Sequence, residues 1–164
     1  MSIKLMATIG KNFELSSDVK KLWYLPENEN RMFYVLHGKD RYILVDYETF
    51  MANPEKYNRN VFVYGNKSLE NFCDVICYDN IDAICDRFLD SEDSLWVVGS
   101  TSKFYKMFLD KVVTMDITKV EGEHIRPFSY FPSIYENQWD IESVEKCEND
   151  IIYHNKVYRR IKVR

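Results

Sequence analysis

Leu95-Trp96-Val97-Val98 is a near-continuous apolar run that stops at Gly99 and is followed by Ser100-Thr101-Ser102. A strand apolar on both faces needs cover on both sides, which marks a central strand of a parallel sheet between helices. The helical pattern over Ser100–Leu109 puts a helix start just beyond that strand, where outward-facing N–H groups suit a nucleotide phosphate. A second stretch, Trp23-Tyr24-Leu25-Pro26-Glu27-Asn28-Glu29, is an aromatic–proline turn that opens a helix, with Pro26 near a helix start that tolerates it. It carries a carboxylate into an apolar setting, an arrangement that can hold a heteroaromatic ring against an acid.

The remaining pattern extends this picture. Ile3–Ile9 reads as a first strand, and Phe13–Leu22 as a polar loop. The helix from Pro26 runs to about His37 and stops at Gly38, with Glu29, Phe33 and Leu36 at i, i+4 and i+7 on one face. Strands are expected at Tyr42–Val45, Val61–Tyr64 and Val75–Cys77, with a short helix at Tyr47–Ala52. A further helix at Ile81–Leu89 is capped by Asp79 or Asn80. Lys111–Val120, Trp139–Lys146 and Ile151–Val163 complete the set, the last two joined at Asn149-Asp150. Strand–helix alternation followed by strands alone predicts an α/β fold. Its mostly parallel central sheet has about eight strands, helices on both faces and an antiparallel C-terminal hairpin at one edge.

At 164 residues the chain is expected to form a single domain, residues 1–164, with one substantial core. A net charge of -4 disfavours nucleic-acid binding, which needs basic surface. The C-terminal basic cluster (Lys156, Arg159, Arg160, Lys162, Arg164) reads as a charge-blunted edge strand. Cys73, Cys77, Cys85 and Cys147 lack zinc spacing and read as reduced thiols of a cytoplasmic protein. No metal site is expected, since His37, His124 and His154 are scattered. No span reaches the ~20 apolar residues of a membrane helix.

The order of motifs resembles the dihydrofolate reductase family over nearly the whole chain. Ile3-Lys4-Leu5-Met6-Ala7-Thr8-Ile9-Gly10 is similar to the family's opening strand, and Trp23-Tyr24-Leu25-Pro26 to its tryptophan–proline signature. Leu95-Trp96-Val97-Val98-Gly99 with Phe104-Tyr105-Lys106-Met107-Phe108-Leu109 is similar to its cofactor strand and helix. Asp116-Ile117-Thr118 and Ser129-Tyr130-Phe131-Pro132 match two later landmarks. The resemblance implies reduction of 7,8-dihydrofolate to tetrahydrofolate, with NADPH as cofactor and NADH as the alternative. It implies a buried acid facing the pterin's N–H edge, a charge-assisted pair that also aids protonation.

Two registers are open for that acid. Five residues after the tryptophan stands Asn28; six after stands Glu29. Glu29 is adopted as the catalytic candidate with Trp23, because Phe33 four residues on fits a ring stacked on the pterin. The resemblance further implies Met6, Ala7, Phe33, Arg59 and Thr118 on the substrate side. On the cofactor side it implies Ala7, Thr49, Tyr64, Gly99, Ser100, Thr101 and Tyr105. Asn28→Asp is expected not to be required for activity, and Glu29→Gln to abolish turnover.

Departures concentrate at the cofactor. The family's paired glycines, which form a cis peptide, are Gly99-Ser100 here. Ser100, Thr101 and Ser102 read equally as an anion site or as a plain helix cap. The family's glycine–arginine–x–threonine segment is Asp46-Tyr47-Glu48-Thr49, whose two carboxylates repel a phosphate. Lys21-Leu22 replaces the apolar–proline pair before the tryptophan, and Arg59 reads equally as a tail-binding or a solvated loop residue. The alternative function is therefore a catalytically degenerate protein on the same fold, acting as a binding module with a protein partner. A pyrimidine reductase of riboflavin synthesis is a third reading, against which the Trp–Leu–Pro turn speaks.

Overall fold

The computed structural model describes residues 3–57, 60–65, 75–78, 81–89, 91–124 and 126–161. In chain order the elements are β1 (Ile3–Ile9), β2 (Leu15–Ser16), α1 (Pro26–Leu36), β3 (Arg41–Asp46), α2 (Tyr47–Ala52), β4 (Val61–Tyr64) and β5 (Val75–Tyr78). There follow α3 (Ile81–Leu89), β6 (Ser94–Val98), α4 (Ser102–Phe108), β7 (Thr114–Val120), β8 (Trp139–Glu148) and β9 (Ile152–Arg160). The sheet runs β5-β4-β3-β6-β1-β7-β9-β8, with β2 pairing off β1. Pairs from β5 to β7 are parallel; β7–β9 and β9–β8 are antiparallel. The predicted architecture is the observed one, and the expected central strand, β6, lies between β3 and β1.

Alternation along the strands builds two cores, since successive side chains point to opposite faces. Ile3, Leu5, Ala7, Leu44, Phe62, Leu95, Val97, Met115 and Ile117 face α3 and α4, meeting Ile84, Phe88, Phe104, Tyr105 and Phe108. Met6, Ile43, Val45, Val61, Val63, Trp96 and Val98 face the other way, meeting Leu36 of α1, Phe50 of α2, and Tyr57. The central strands β1, β3, β4 and β6 thus bury both faces, which explains the unbroken apolar run of β6. A third, small cluster of Leu25, Val120 and Tyr153, with Trp23 against it, anchors the aromatic–proline turn to β7 and β9.

Two expectations are corrected. The stretch after β1 contains strand β2, because Phe13 turns the chain back at φ 66° and Glu14 is buried. Its carboxylate takes the backbone N–H groups of Asn12 (2.6 Å) and His124 (2.5 Å). The basic C-terminal strand is also not the edge: β9 lies between β7 and β8, and β8 is outermost. Arg160 covers Trp139 at 4.4 Å from the ring centre and donates to the carbonyls of Val112 (2.9 Å) and Leu109, so its charge serves packing within the sheet. The proposed caps Asp79 and Asn80, together with Lys162, Arg164 and Arg59, lie outside the described residues. Among the described residues no helix is long and apolar enough to cross a membrane.

β1 leads to α1 on one face, whereas its neighbour β6 leads to α4 on the other. A crevice opens at the carboxyl ends of two such strands, the place where open α/β sheets take ligands.

Candidate active site

The cleft at this point is lined by Met6, Ala7 and Thr8 of β1, Val98 and Gly99 at the end of β6, and Trp23, Asn28, Glu29 and Met32 around the start of α1. Ser16–Asp18, Lys21, Thr49, Lys56, Tyr57 and Tyr105 complete the wall. Its open space is about 60 Å³, room for a handful of water-sized groups. The segment after β2 roofs it. Asp18 accepts from Lys56 (3.1 and 3.2 Å) and from the buried Tyr57 hydroxyl. Burial, and then the Asp18 carboxylate, hold the Tyr57 hydroxyl well above the usual tyrosine range.

Trp23 reaches the cleft because Gly10 leaves it room: a Cβ there would lie 2.5 Å from the Trp23 ring. Across the cleft the Tyr105 hydroxyl accepts from Gly99 N–H (2.9 Å). It donates to the carbonyl of Met6 (2.9 Å) or of Gly99 (3.2 Å), tying β6 to β1 at their ends. Complete burial pushes this hydroxyl far above the usual tyrosine range.

The acid expected on α1 is not where Glu29 was placed. The Glu29 side chain is 40% exposed and pairs with Lys21 at 2.5 Å on the cleft rim. Asn28 is the buried residue, 2% exposed. The Thr118 hydroxyl lies 2.9 Å from Asn28 Oδ1 and 2.8 Å from Asn155 Oδ1. Arg31 Nε donates to the same Asn28 oxygen at 3.2 Å, while Asn28 Nδ2 points at Met32 Sδ, 3.3 Å away. The physical reason is helical phase. One residue turns the side chain by about 100°, and the pairing of Leu36 with the core fixes Met32 and Asn28 on its face at i−4 and i−8. Phe33 is displaced for the same reason: it is 48% exposed, tilted against His37 with ring centres 4.3 Å apart, and away from the cleft, where Met32 stands instead.

Beneath α1, Arg31 forms a two-pronged pair with Asp116 (2.8 and 2.9 Å) and reaches Thr118 at 3.3 Å. The nearest buried carboxylate at this end is therefore neutralised.

At the β6 end, the Ser100 hydroxyl donates to Asp46 Oδ2 at 2.9 Å, with Ser100 N at 3.4 Å. Asp46 Oδ1 caps α2 by accepting from Thr49 N at 3.0 Å. The Thr49 hydroxyl is buried and has no hydrogen-bond partner among the described residues. Thr101 caps α4 through Phe104 N (3.2 Å), and Ser102 N is taken by Ser129 Oγ (2.9 Å). The described peptide bonds, Gly99–Ser100 included, are trans. A Cβ on Gly99 would stand 2.2 Å from the Phe104 ring, so close helix–strand contact demands that glycine. Tyr64 packs on Phe104 and Phe108 rather than in the cleft.

Of the predicted site residues, the cleft gathers Met6, Ala7, Trp23, Glu29, Thr49, Gly99 and Tyr105. Thr118 stands behind it through Asn28, and Ser100 and Thr101 lie beyond it, while Phe33 and Tyr64 stand apart. Sequence reasoning missed Met32, Tyr57 and Asp18. The i, i+4 spacing of Asn28 and Met32 was the available signal for the first.

The structure is similar to that of a dihydrofolate reductase from Enterococcus faecalis solved in complex with NADP(H) and RAB-propyl. The TM-score is 0.81 at 14% identity, covering 98% of this chain and 97% of that one. No curated protein sequence matches the chain. At that identity the likeness speaks for the fold alone. A family model described as dihydrofolate reductase, however, matches residues 2–161. Fold, cleft and sequence match thus agree, and the chain belongs to the dihydrofolate reductase family.

Proposed function

We propose that the chain is a dihydrofolate reductase-like protein of the cytoplasm, built as a single domain over residues 1–164. It reduces 7,8-dihydrofolate to tetrahydrofolate with NADPH. The observation that carries this reading is the buried Asn28–Thr118 pair at the foot of the cleft, beside Ala7, Trp23 and Met32. It is a buried polar anchor beside apolar walls, as recognition of a flat heterocycle requires. The unpaired thiols Cys85 and Cys147 suit a reducing compartment.

NADPH supplies the hydride when bound. The residues present fit its ring end, where Ala7, Trp23 and Tyr105 frame the slot, and the partnerless Thr49 hydroxyl awaits a polar group. They do not fit its phosphates equally well, because Asp46 holds the donors at Ser100 and Thr49. The chain's own contribution is orientation and exclusion of water. With the single Thr118 proton given to Asn155 Oδ1, Asn28 Oδ1 keeps one lone pair for a ring N–H beside its bond from Arg31, and Met32 and Trp23 form the walls. The Asp18 and Lys21 contacts have to open for a ring to enter. An amide brings no charge and no proton, so protonation of the ring is left to water.

Asn28 favours a second reading: a degenerate member that binds a pterin-like ring or a protein partner without turnover. The deciding experiment measures dihydrofolate-dependent NADPH oxidation by the purified protein, alongside dihydrofolate binding by tryptophan quenching. Slow but protein-dependent turnover is expected. Tight dihydrofolate binding with no turnover at any NADPH concentration would favour the second reading.

A further inference from the structure

We propose that Asp46 is the residue that limits nucleotide affinity in this chain, its carboxylate acting as a built-in anion seated where a nucleotide phosphate has to approach. The inference rests on the dihydrofolate reductase-like reading above. Asp46 is 5% exposed. Its two oxygens take Thr49 N at 3.0 Å and the Ser100 hydroxyl at 2.9 Å, with Ser100 N at 3.4 Å. Two neighbouring donors are also taken, Gly99 N by Tyr105 and Ser102 N by Ser129.

A second, independent observation points to a ligand at this joint. The Thr49 hydroxyl is fully buried, lines the cleft and has no hydrogen-bond partner among the described residues. A buried hydroxyl left unpaired is costly, and a bound polar group removes that cost. The joint therefore holds one waiting hydroxyl and one seated anion. A phosphate that reaches Thr49 meets Asp46 in a buried setting, where salt screens little. Glu48, the other acid of this turn, is exposed and screened. The sequence offers two acids with equal claim; the structure separates them.

Asp46→Asn tests this cleanly, because asparagine also caps helices well and keeps an oxygen for Ser100. NADPH and NADH are titrated against wild type, Asp46→Asn, Glu48→Gln and Asp46→Asn/Thr49→Val, following energy transfer from tryptophan to the nicotinamide, with melting temperature as the folding control. Asp46→Asn is expected to bind both nucleotides at least about tenfold more tightly, and Glu48→Gln to stay within about threefold. Adding Thr49→Val removes most of the gain. Should Asp46→Asn not fold, Asp46→Ser also drops the charge while keeping a capping oxygen. A folded Asp46 variant with unchanged or weaker affinity overturns the inference. So does an equal gain from Glu48→Gln, or a gain that survives Thr49→Val. Tight NADPH binding by Asp46→Asn without dihydrofolate reduction sinks the reductase reading instead and leaves the role of Asp46 standing.

Discussion

The two ends of the cleft have exchanged charge. At the α1–β7 end, the buried position that faces Thr118 carries an amide, Asn28, while the neighbouring carboxylate Glu29 turns out to Lys21. At the β6–α2 end a carboxylate, Asp46, is buried between Ser100 and Thr49. Asn28 and Asp46 are each held by hydrogen bonds, the Thr49 hydroxyl alone at these two ends staying without a partner among the described residues, and both ends sit on the same well-packed sheet. A folded chain needs its buried polar groups paired and is indifferent to which member carries the charge. Chemistry is not indifferent: a pterin edge calls for an anion, and a phosphate calls for its absence.

The sharpest way to break that comparison is to reverse both ends. Asn28→Asp is nearly isosteric, keeps the bond to Thr118, and gains a charge that Arg31 Nε, 3.2 Å from the present oxygen, can also meet. Turnover of dihydrofolate is expected to rise at least about a hundredfold in kcat/KM, the scale of a positioned proton-transfer group. Among the described residues the two ends share no hydrogen-bond partner, so Asn28→Asp and Asp46→Asn together should add in free energy to within about 0.5 kcal/mol. Steady-state NADPH oxidation by wild type, the two single variants and the double variant measures this. High wild-type turnover that Asn28→Asp lowers would show that the amide end is already complete.

Sequence pattern made the sheet legible because parallel strands buried on both faces leave unbroken apolar runs, as in Leu95–Val98, and helices leave caps and periodicity. The parallel sheet with its antiparallel C-terminal hairpin was legible in the alternation of strands and helices; the strand order was not, because it is set by pairings between distant segments. The site was legible only to within a residue. Glu29 and Asn28 are adjacent, and which one faces inward depends on the rotation of α1, set by Leu36 in the core rather than by the local motif. Phe33 was chosen by its spacing from Glu29, and the two side chains share the outer side of α1. Asp46 was readable as a repelling charge, but its bond to Ser100 joins residues 54 apart and leaves no local trace.

A smaller effect tests whether the strand ends are a shared frame for both halves of the cleft. Tyr105→Phe removes the hydroxyl that meets Gly99 N–H and the carbonyl of Met6 in a fully buried place. Leaving those groups unpaired should cost about 1–3 kcal/mol. Thermal unfolding should show a drop of several degrees, at about 2–4 °C per kcal/mol for a chain of this size. Unchanged stability would mean that water replaces the hydroxyl and that the ends are less dry than their burial indicates.

The smallest expected effect is the most direct test of the register of α1. Glu29→Gln removes only a rim pair, with side chains 48% and 40% exposed at Lys21 and Glu29. Pairs of that kind are worth about 0–1 kcal/mol, reduced further by salt. Stability should change by less than that, and kcat should be unaltered, because the lost pair lies at the rim and Asn28 at the foot of the slot keeps its partners. The Lys21 contact helps hold the roof, so what change there is should fall on the rate of dihydrofolate association, measured by stopped-flow quenching of tryptophan, and should fade as salt rises. Loss of turnover in Glu29→Gln would reverse the assignment. It would mean that α1 rotates on binding to bring Glu29 in and Asn28 out, and that the charge missing from the ring end is supplied only once a ligand is present.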